Sequence, residues 1–326
     1  MIHARKQTMA ALVALGALLA LTSLMVGRVW IPFHAWGDPS DPLWPIVLEL
    51  RLPRTLLAVV VGAALGMAGA AMQGFTRNPL ADPGTLGVSS MAALGAVGTL
   101  YFGAGAQASW VIAVCAMAGA LIAVLALMGL AGAASSAVTF ILAGVILQTV
   151  AGAGVALALS LAPDPWAVTE IVDWLMGSLT DRSLGEFSLA APLVAAGLAL
   201  LLSTGRSLDA LTLGEDGARS LGVDMGALRW TLAAGVALTA GASVAVTGVI
   251  GFVGLIVPHL LRPLVGAQPS RLLLPSALGG AVLVLAADIL VRLTPGGSEV
   301  KLGVAMTVLG GPFFFALLIS MRRRIA

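Results

Sequence analysis

Thr212 and Glu215 stand three residues apart, the spacing of a capping box in which a hydroxyl and a carboxylate satisfy backbone N–H groups at a helix start. Asp216 shares the first turn, where the helix dipole favours anions, and Arg219 follows Glu215 by four residues. Gly222 can supply a left-handed stop, so the pattern predicts a short helix from Leu213 to Leu221. About two turns do not persist in water alone, and the narrow stripe of Leu213, Gly217, Ala218 and Leu221 needs something to pack against. The helix lies in a hydrophilic island, Gly205–Arg229, between two apolar runs. It reads either as a surface connection between membrane helices or as a docking helix for another protein.

No comparable pattern supports covalent or metal chemistry. Lys6 and Lys301 are the only lysines and neither follows a glycine-rich Walker-type loop, so ATP cannot bind here by a P-loop and energy must come from elsewhere. His3, His34 and His259 lie far apart, without HExxH or paired-ligand spacing. Cys115 is the single cysteine, which excludes an intrachain disulfide and a thiolate cluster. No serine stands at a plausible spacing from a His or Lys base. Asp288, His259 and Arg262 are the ionisable residues within apolar runs, and the buried chain of carboxylates that proton-coupled carriers often require is missing. The expectation is a chain with no catalytic residues, no metal and no cofactor of its own.

The elements around the island are membrane helices. Of 326 residues, 59% are hydrophobic and 10% charged, with a mean hydropathy of +1.04, outside the range of soluble globular proteins. Continuous apolar runs, rather than alternating segments of about ten residues, favour a helix bundle over a β-barrel. The runs fall at 7–27, 55–74, 86–102, 109–130, 137–161, 188–204, 230–250, 252–265, 272–292 and 303–321, giving ten expected spans. Segment 252–265 is short and holds Pro258, the mark of a tilted or broken helix. Gly62 and Gly66 form a GxxxG pair suited to close helix approach. Trp30–Leu50 reads as an interfacial loop, and Ala162–Glu186 as a connection with a short helix over the external mouth. With both termini in the cytoplasm, eleven basic residues, including Arg77, Arg219, Arg229 and the Arg322–Arg324 cluster, lie inside, while Arg28, Arg51, Arg54, Arg182, Arg292 and Lys301 lie outside, an asymmetry that supports this orientation.

Two stretches are specific. Arg51–Val88 reads RLPRTLLAVVVGAALGMAGAAMQGFTRNPLADPGTLGV, and Thr247–Phe314 runs from TGVIGFVGLIVPHLLRPLVG through ADILVR to LGVAMTVLGGPFF. With GEDGARSLG from Gly214 they resemble, in collinear order over nearly the whole chain, the FecCD permease family, membrane subunits of bacterial ABC importers for iron-siderophores, haem and vitamin B12. Asn78-Pro79 and Asp82-Pro83-Gly84 should make a rigid corner after the second span.

The resemblance implies an all-α polytopic bundle of about ten transmembrane helices, like a type II ABC importer permease, forming a single domain over 1–326. It implies a second copy of the chain, two ATP-binding cassette subunits that carry ATP and Mg, a periplasmic or lipid-anchored substrate-binding protein, membrane lipids around the bundle, and no nucleic-acid partner. It assigns ATPase coupling to Leu213, Gly214, Glu215, Ala218, Arg219, Leu221 and Gly222 within 205–229, and binding-protein docking to Arg51, Arg54 and Arg292. Arginine's bidentate geometry suits that docking, although Arg51 and Arg54 flank Pro53 at a membrane boundary, where arginines also snorkel to headgroups. The fifth and tenth spans should line a pathway at the two-fold axis, with a constriction near Ser135, Ser136 and Thr139; Gln148 is either pore-facing or a helix-to-helix hydrogen bond. The implied activity is ATP-driven import of a metal chelate (ferric siderophore, haem or cobalamin) across the bacterial inner membrane by alternating access. The rivals are an ion-gradient-driven carrier and an intramembrane enzyme.

Overall fold

The computed structural model describes residues 2–27, 29–103, 109–131, 137–294 and 299–325, and every regular element among them is helical. In chain order they are α1 (Ile2–Met25), α2 (Leu52–Thr76), α3 (Val88–Tyr101), α4 (Ser109–Ala131), α5 (Ala137–Ser160), α6 (Pro165–Leu175) and α7 (Leu184–Ser203). There follow α8 (Gly205–Leu211), α9 (Glu215–Ser220), α10 (Met225–Val236), α11 (Ala242–Thr247), α12 (Val253–Val265), α13 (Pro269–Arg292) and α14 (Leu302–Ile325). Each of the ten apolar runs coincides with helix. Seven helical passages are long and apolar enough to cross a membrane, whereas Val88–Tyr101, Val253–Val265 and Leu302–Leu317 are shorter apolar helices.

The centre of the bundle is the seam between α2 and α13. A methyl group on Gly62 would lie 2.3 Å from the Gly280 carbonyl oxygen, and one on Gly66 would lie 2.1 Å from that of Ser276. The GxxxG pair therefore does what its spacing predicts: two backbones meet where any side chain would force them apart. Most of α2, α10–α11 and α13 is buried, while α1, α5 and α7 leave most of their surface exposed.

Three segments depart from simple expectation. Ile46–Arg51, whose residues up to Leu50 were expected in an interfacial loop, wind as a π-helix into α2 and make one passage from Ile46 to Thr76. Pro53 has no amide to donate, and the Leu52 amide reaches back five residues to the Val47 carbonyl. The run 230–250 is interrupted by a π segment, Ala237–Gly241, between α10 and α11. Between α11 and α12 the chain leaves helical geometry, with Gly248 at φ 71° and Phe252 at φ 67°. This irregular backbone is supported from inside the protein: Ser178 N–H donates to Thr247 O at 2.7 Å, and the Gln73 amide donates to Gly254 O at 3.1 Å. The short helix expected in the 162–186 connection is α6, capped by Asp164 through the Ala167 amide at 2.8 Å.

The corner after α2 forms as its prolines and side chains direct. Arg77 ends the helix in left-handed geometry at φ 52°, Asn78 accepts the Leu80 amide at 2.9 Å, and Asp82 caps a 3-10 turn through the Gly84 amide at 2.8 Å. Burial pushes the Asp82 carboxyl above the usual carboxylate range, against the opposing pull of that amide.

Candidate functional site

At the end of α2 that carries Arg77, the hydrophilic island folds as two short helices rather than one. α8 continues almost directly from α7, and Asp209 near its end is tied to the start of α13: its carboxylate accepts the Ser270 amide at 2.9 Å, the Ser270 hydroxyl at 2.6 Å and the Gln268 side-chain amide at 2.6 Å. The expected capping box does not form. Thr212 closes α8, and its hydroxyl donates back to Asp209 O at 2.7 Å. Gly214, at φ 92°, is instead the residue before α9, which spans Glu215–Ser220 and not Leu213–Leu221. Gly222, at φ 83°, provides the expected left-handed stop. α10 then starts at an Asp224 cap, whose carboxylate accepts the Gly226 and Ala227 amides at 2.8 and 3.0 Å.

The residues assigned to coupling separate into two faces. Leu213 and Leu221 are 69% and 64% exposed on either side of α9, and Arg219 and Gly222 are also exposed. Ala218 is buried, and Glu215 turns inward. One Glu215 carboxylate oxygen accepts the Ala137 amide of α5 at 2.8 Å; the other lies 3.3 Å from Arg229 Nη2 and 3.7 Å from Arg219 Nη2. Arg229, counted among the loop charges from sequence, is buried. Helical periodicity explains why: it lies on the stripe of Met225, Leu228 and Leu232, all buried on α10. The same reasoning applied to the sequence would have found it.

At the other end of α2, two of the arginines assigned to docking, Arg54 and Arg292, come together around Asp288, which is completely buried. Arg54 Nε donates to the Asp288 carboxylate at 2.9 Å, and its Nη2 also pairs with Glu299. Arg292 Nε donates to Asp288 at 2.9 Å, while its Nη1 and Nη2 reach the carbonyl and hydroxyl of Ser23 at 2.8 and 2.9 Å. Arg51 donates to Leu24 O at 2.9 Å and to Val29 O. All three guanidiniums are therefore held by groups of the protein itself. Arg51, Arg54, Arg292 and Glu299 share the wall of a cleft of about 290 Å³. Three cations and two carboxylates leave the cluster with one excess positive charge. Glu299 had no signal in the sequence; it lies 245 residues from its partner Arg54.

Of the residues assigned to a constriction, two are described. Thr139 and Gln148 lie on the exposed side of α5, beside Val138, Leu142 and Ile146; Ser135 and Ser136 fall outside the described residues. Gln73, not singled out from sequence, is buried in α2, where its carbonyl accepts Arg262 Nη2 at 2.8 Å and its amide holds the start of α12. Among the described residues no three His, Cys, Asp or Glu side chains converge as metal ligands do.

An all-helical bundle with a glycine-packed centre, a short helix exposed at one end and a buried arginine–carboxylate cluster at the other is a multi-pass membrane permease of type II architecture. A solved inward-facing conformation assigned to a metal-chelate type ABC transporter superposes with a TM-score of 0.88 at 30% identity, covering 97% of this chain and 99% of that one. The vitamin B12 import system permease BtuC of Vibrio cholerae is 42% identical over 91% of this chain and 88% of its own length. BtuC of Escherichia coli strain HS is 38% identical over 94% and 93%, and the uncharacterized ABC transporter permease YvrB of Bacillus subtilis is 41% identical over 87% and 82%. Residues 14–320 match the FecCD transport family, and the chain belongs to that family.

Proposed function

We propose that this chain is the membrane-spanning subunit of an ATP-driven importer that moves a metal chelate across the bacterial inner membrane by alternating access. Two ATPase subunits bind ATP and Mg and hydrolyse the nucleotide, two copies of this chain form the pathway, and a periplasmic or lipid-anchored binding protein delivers the cargo. Both termini then lie in the cytoplasm. Similarity to the BtuC permeases over nine-tenths of the chain carries this reading, and it favours cobalamin over haem or a ferric siderophore as cargo.

The geometry supplies what such a subunit needs. Leu213 and Leu221 offer two apolar anchors on either side of a short helix whose flanking connections brace α13 and α10, so a rigid-body push on α9 reaches the bundle. At the opposite end, the excess positive charge beside an open cleft suits acidic groups on a soluble partner. The exposed apolar faces of α5 and α14, with Val145, Ile146, Val308 and Phe315, are available to a second copy and to lipid.

The test is ATPase activity of the complex reconstituted in nanodiscs with its genomically neighbouring ATPase and binding protein. Binding protein loaded with cobalamin should stimulate hydrolysis more than binding protein offered haem or a ferric siderophore. Stimulation by one of the other chelates alone would reassign the cargo, and failure of any ATPase to assemble would reject the class of mechanism.

A further inference from the structure

The inward turn of Glu215 links α9 and the next helix, α10, to α5, which the sequence keeps far from both. Its Oε1 holds the Ala137 amide at the N-terminal end of α5, 78 residues away, at 2.8 Å. Its Oε2 faces Arg229 of α10 at 3.3 Å, and that guanidinium is itself almost fully buried, with a side-chain exposure of 2%. A carboxylate at the start of a helix is favoured by the helix dipole, and a buried guanidinium beside it fixes the carboxylate's rotamer. One turn into α5, Phe140 is fully buried and packs edge-on against Phe75 of α2, with ring centroids 5.5 Å apart. The first turn of α5 therefore has two fixed points, one on the central helix α2 and one on α9. Beyond that turn α5 exposes Leu142, Val145 and Ile146, the surface of a helix with little other restraint on that side.

We propose that Glu215 is a positioning residue that latches α9 to the N-terminal end of α5, with Arg229 as the buried counter-charge that holds it in place. Displacing α9 then moves the start of α5 directly, without passing through α10 and the glycine-packed centre. Arg219, half exposed and 3.7 Å from the same carboxylate, is the outer charge that follows α9. The latch itself depends only on the contacts above; its part in transport rests on the reading of α9 as the ATPase-facing helix.

Hydrogen exchange separates the two. In the full-length permease alone in nanodiscs, Glu215→Ala should speed exchange of the amides at 137–140 by about tenfold or more, the scale of losing a hydrogen bond to a charged group. Glu215→Gln keeps a carbonyl acceptor of the same size and should give a smaller increase, and Arg229→Lys, which keeps the counter-charge, should stay close to the parent chain. Should Glu215→Ala fail to fold, the ordering of parent chain, Arg229→Lys and Glu215→Gln carries the same information. Unchanged exchange at 137–140 in Glu215→Gln and Glu215→Ala overturns the latch. In the complex with the ATPase, a non-hydrolysable ATP analogue should change exchange at 137–140 in the parent chain, less so in Glu215→Gln and least in Glu215→Ala. A nucleotide response of parental size in both Glu215→Gln and Glu215→Ala overturns the positioning role, since a merely structural bond would leave that response in place. Absence of a nucleotide response in the parent chain would instead count against α9 as the coupling helix, whatever the permease-alone result.

Discussion

Asp288 sits between the guanidiniums of Arg54 and Arg292 without access to solvent, so its charge is compensated on both sides. Removing one partner of a buried ion pair leaves the others uncompensated, at a cost of about 3–5 kcal/mol. Asp288→Asn should therefore lower the thermal unfolding midpoint of the purified protein markedly, while Glu299→Gln, at a carboxylate partly open to the cleft, should lower it less. Equal midpoints for Asp288→Asn and the parent chain would show that the cluster holds no such charge balance. Arg54→Lys is a sharper probe of the same site, because an ammonium cannot span Asp288 and Glu299 with a planar fork. It should weaken capture of the binding protein less than reversing Arg54 to Glu does, and the reversal should make the remaining affinity less sensitive to salt, as titrated by surface plasmon resonance at two ionic strengths.

The α2–α13 seam and the α8–α9 connection show how far elements could be read before they were seen. Gly280→Ala would place a methyl group 2.0 Å from the Gly62 carbonyl oxygen, so the helices must separate. Overpacking of that kind costs about 1–3 kcal/mol, and thermal unfolding in detergent should report a clear loss, whereas Gly311→Ala, with open space around it, should not. The glycine seam was legible because spacing alone determines which residues can meet. The end of α9 was legible too, since Gly222 is the residue that tolerates the left-handed turn. Its start was not: Thr212 has two possible partners, and α8, which carries no capping signature of its own, claims it through Asp209. The inward turn of Glu215 was hidden for a different reason, because Ala137 and Arg229 come from elements that no local pattern connects. For the outer face, Leu213→Asp with Leu221→Asp should abolish co-purification of the ATPase while leaving the permease folded, since both side chains are exposed. Retained co-purification would remove these leucines from the docking surface.

For the whole molecule, hydropathy was enough to give a polytopic helical bundle, the motifs and not the composition gave the permease, and among the described residues the ten apolar runs fall on seven span-length passages and three shorter apolar helices. What hydropathy could not register was the backbone between α11 and α12, whose non-helical course depends on partners from α2 and from the segment after α6. The two functional ends lie at opposite ends of α2, whose 25 residues span roughly 37 Å at about 1.5 Å per residue. Under the proposed function, cargo would arrive at the Arg54 end and force at the α9 end, with the glycine seam as the rigid body between them. The most direct test is uptake into proteoliposomes containing this chain with its neighbouring ATPase and binding protein, using radiolabelled cobalamin, haem and a ferric siderophore. Accumulation of one chelate, cobalamin first, only when ATP is enclosed with the ATPase is the predicted result; accumulation driven by an ion gradient without ATP would contradict it.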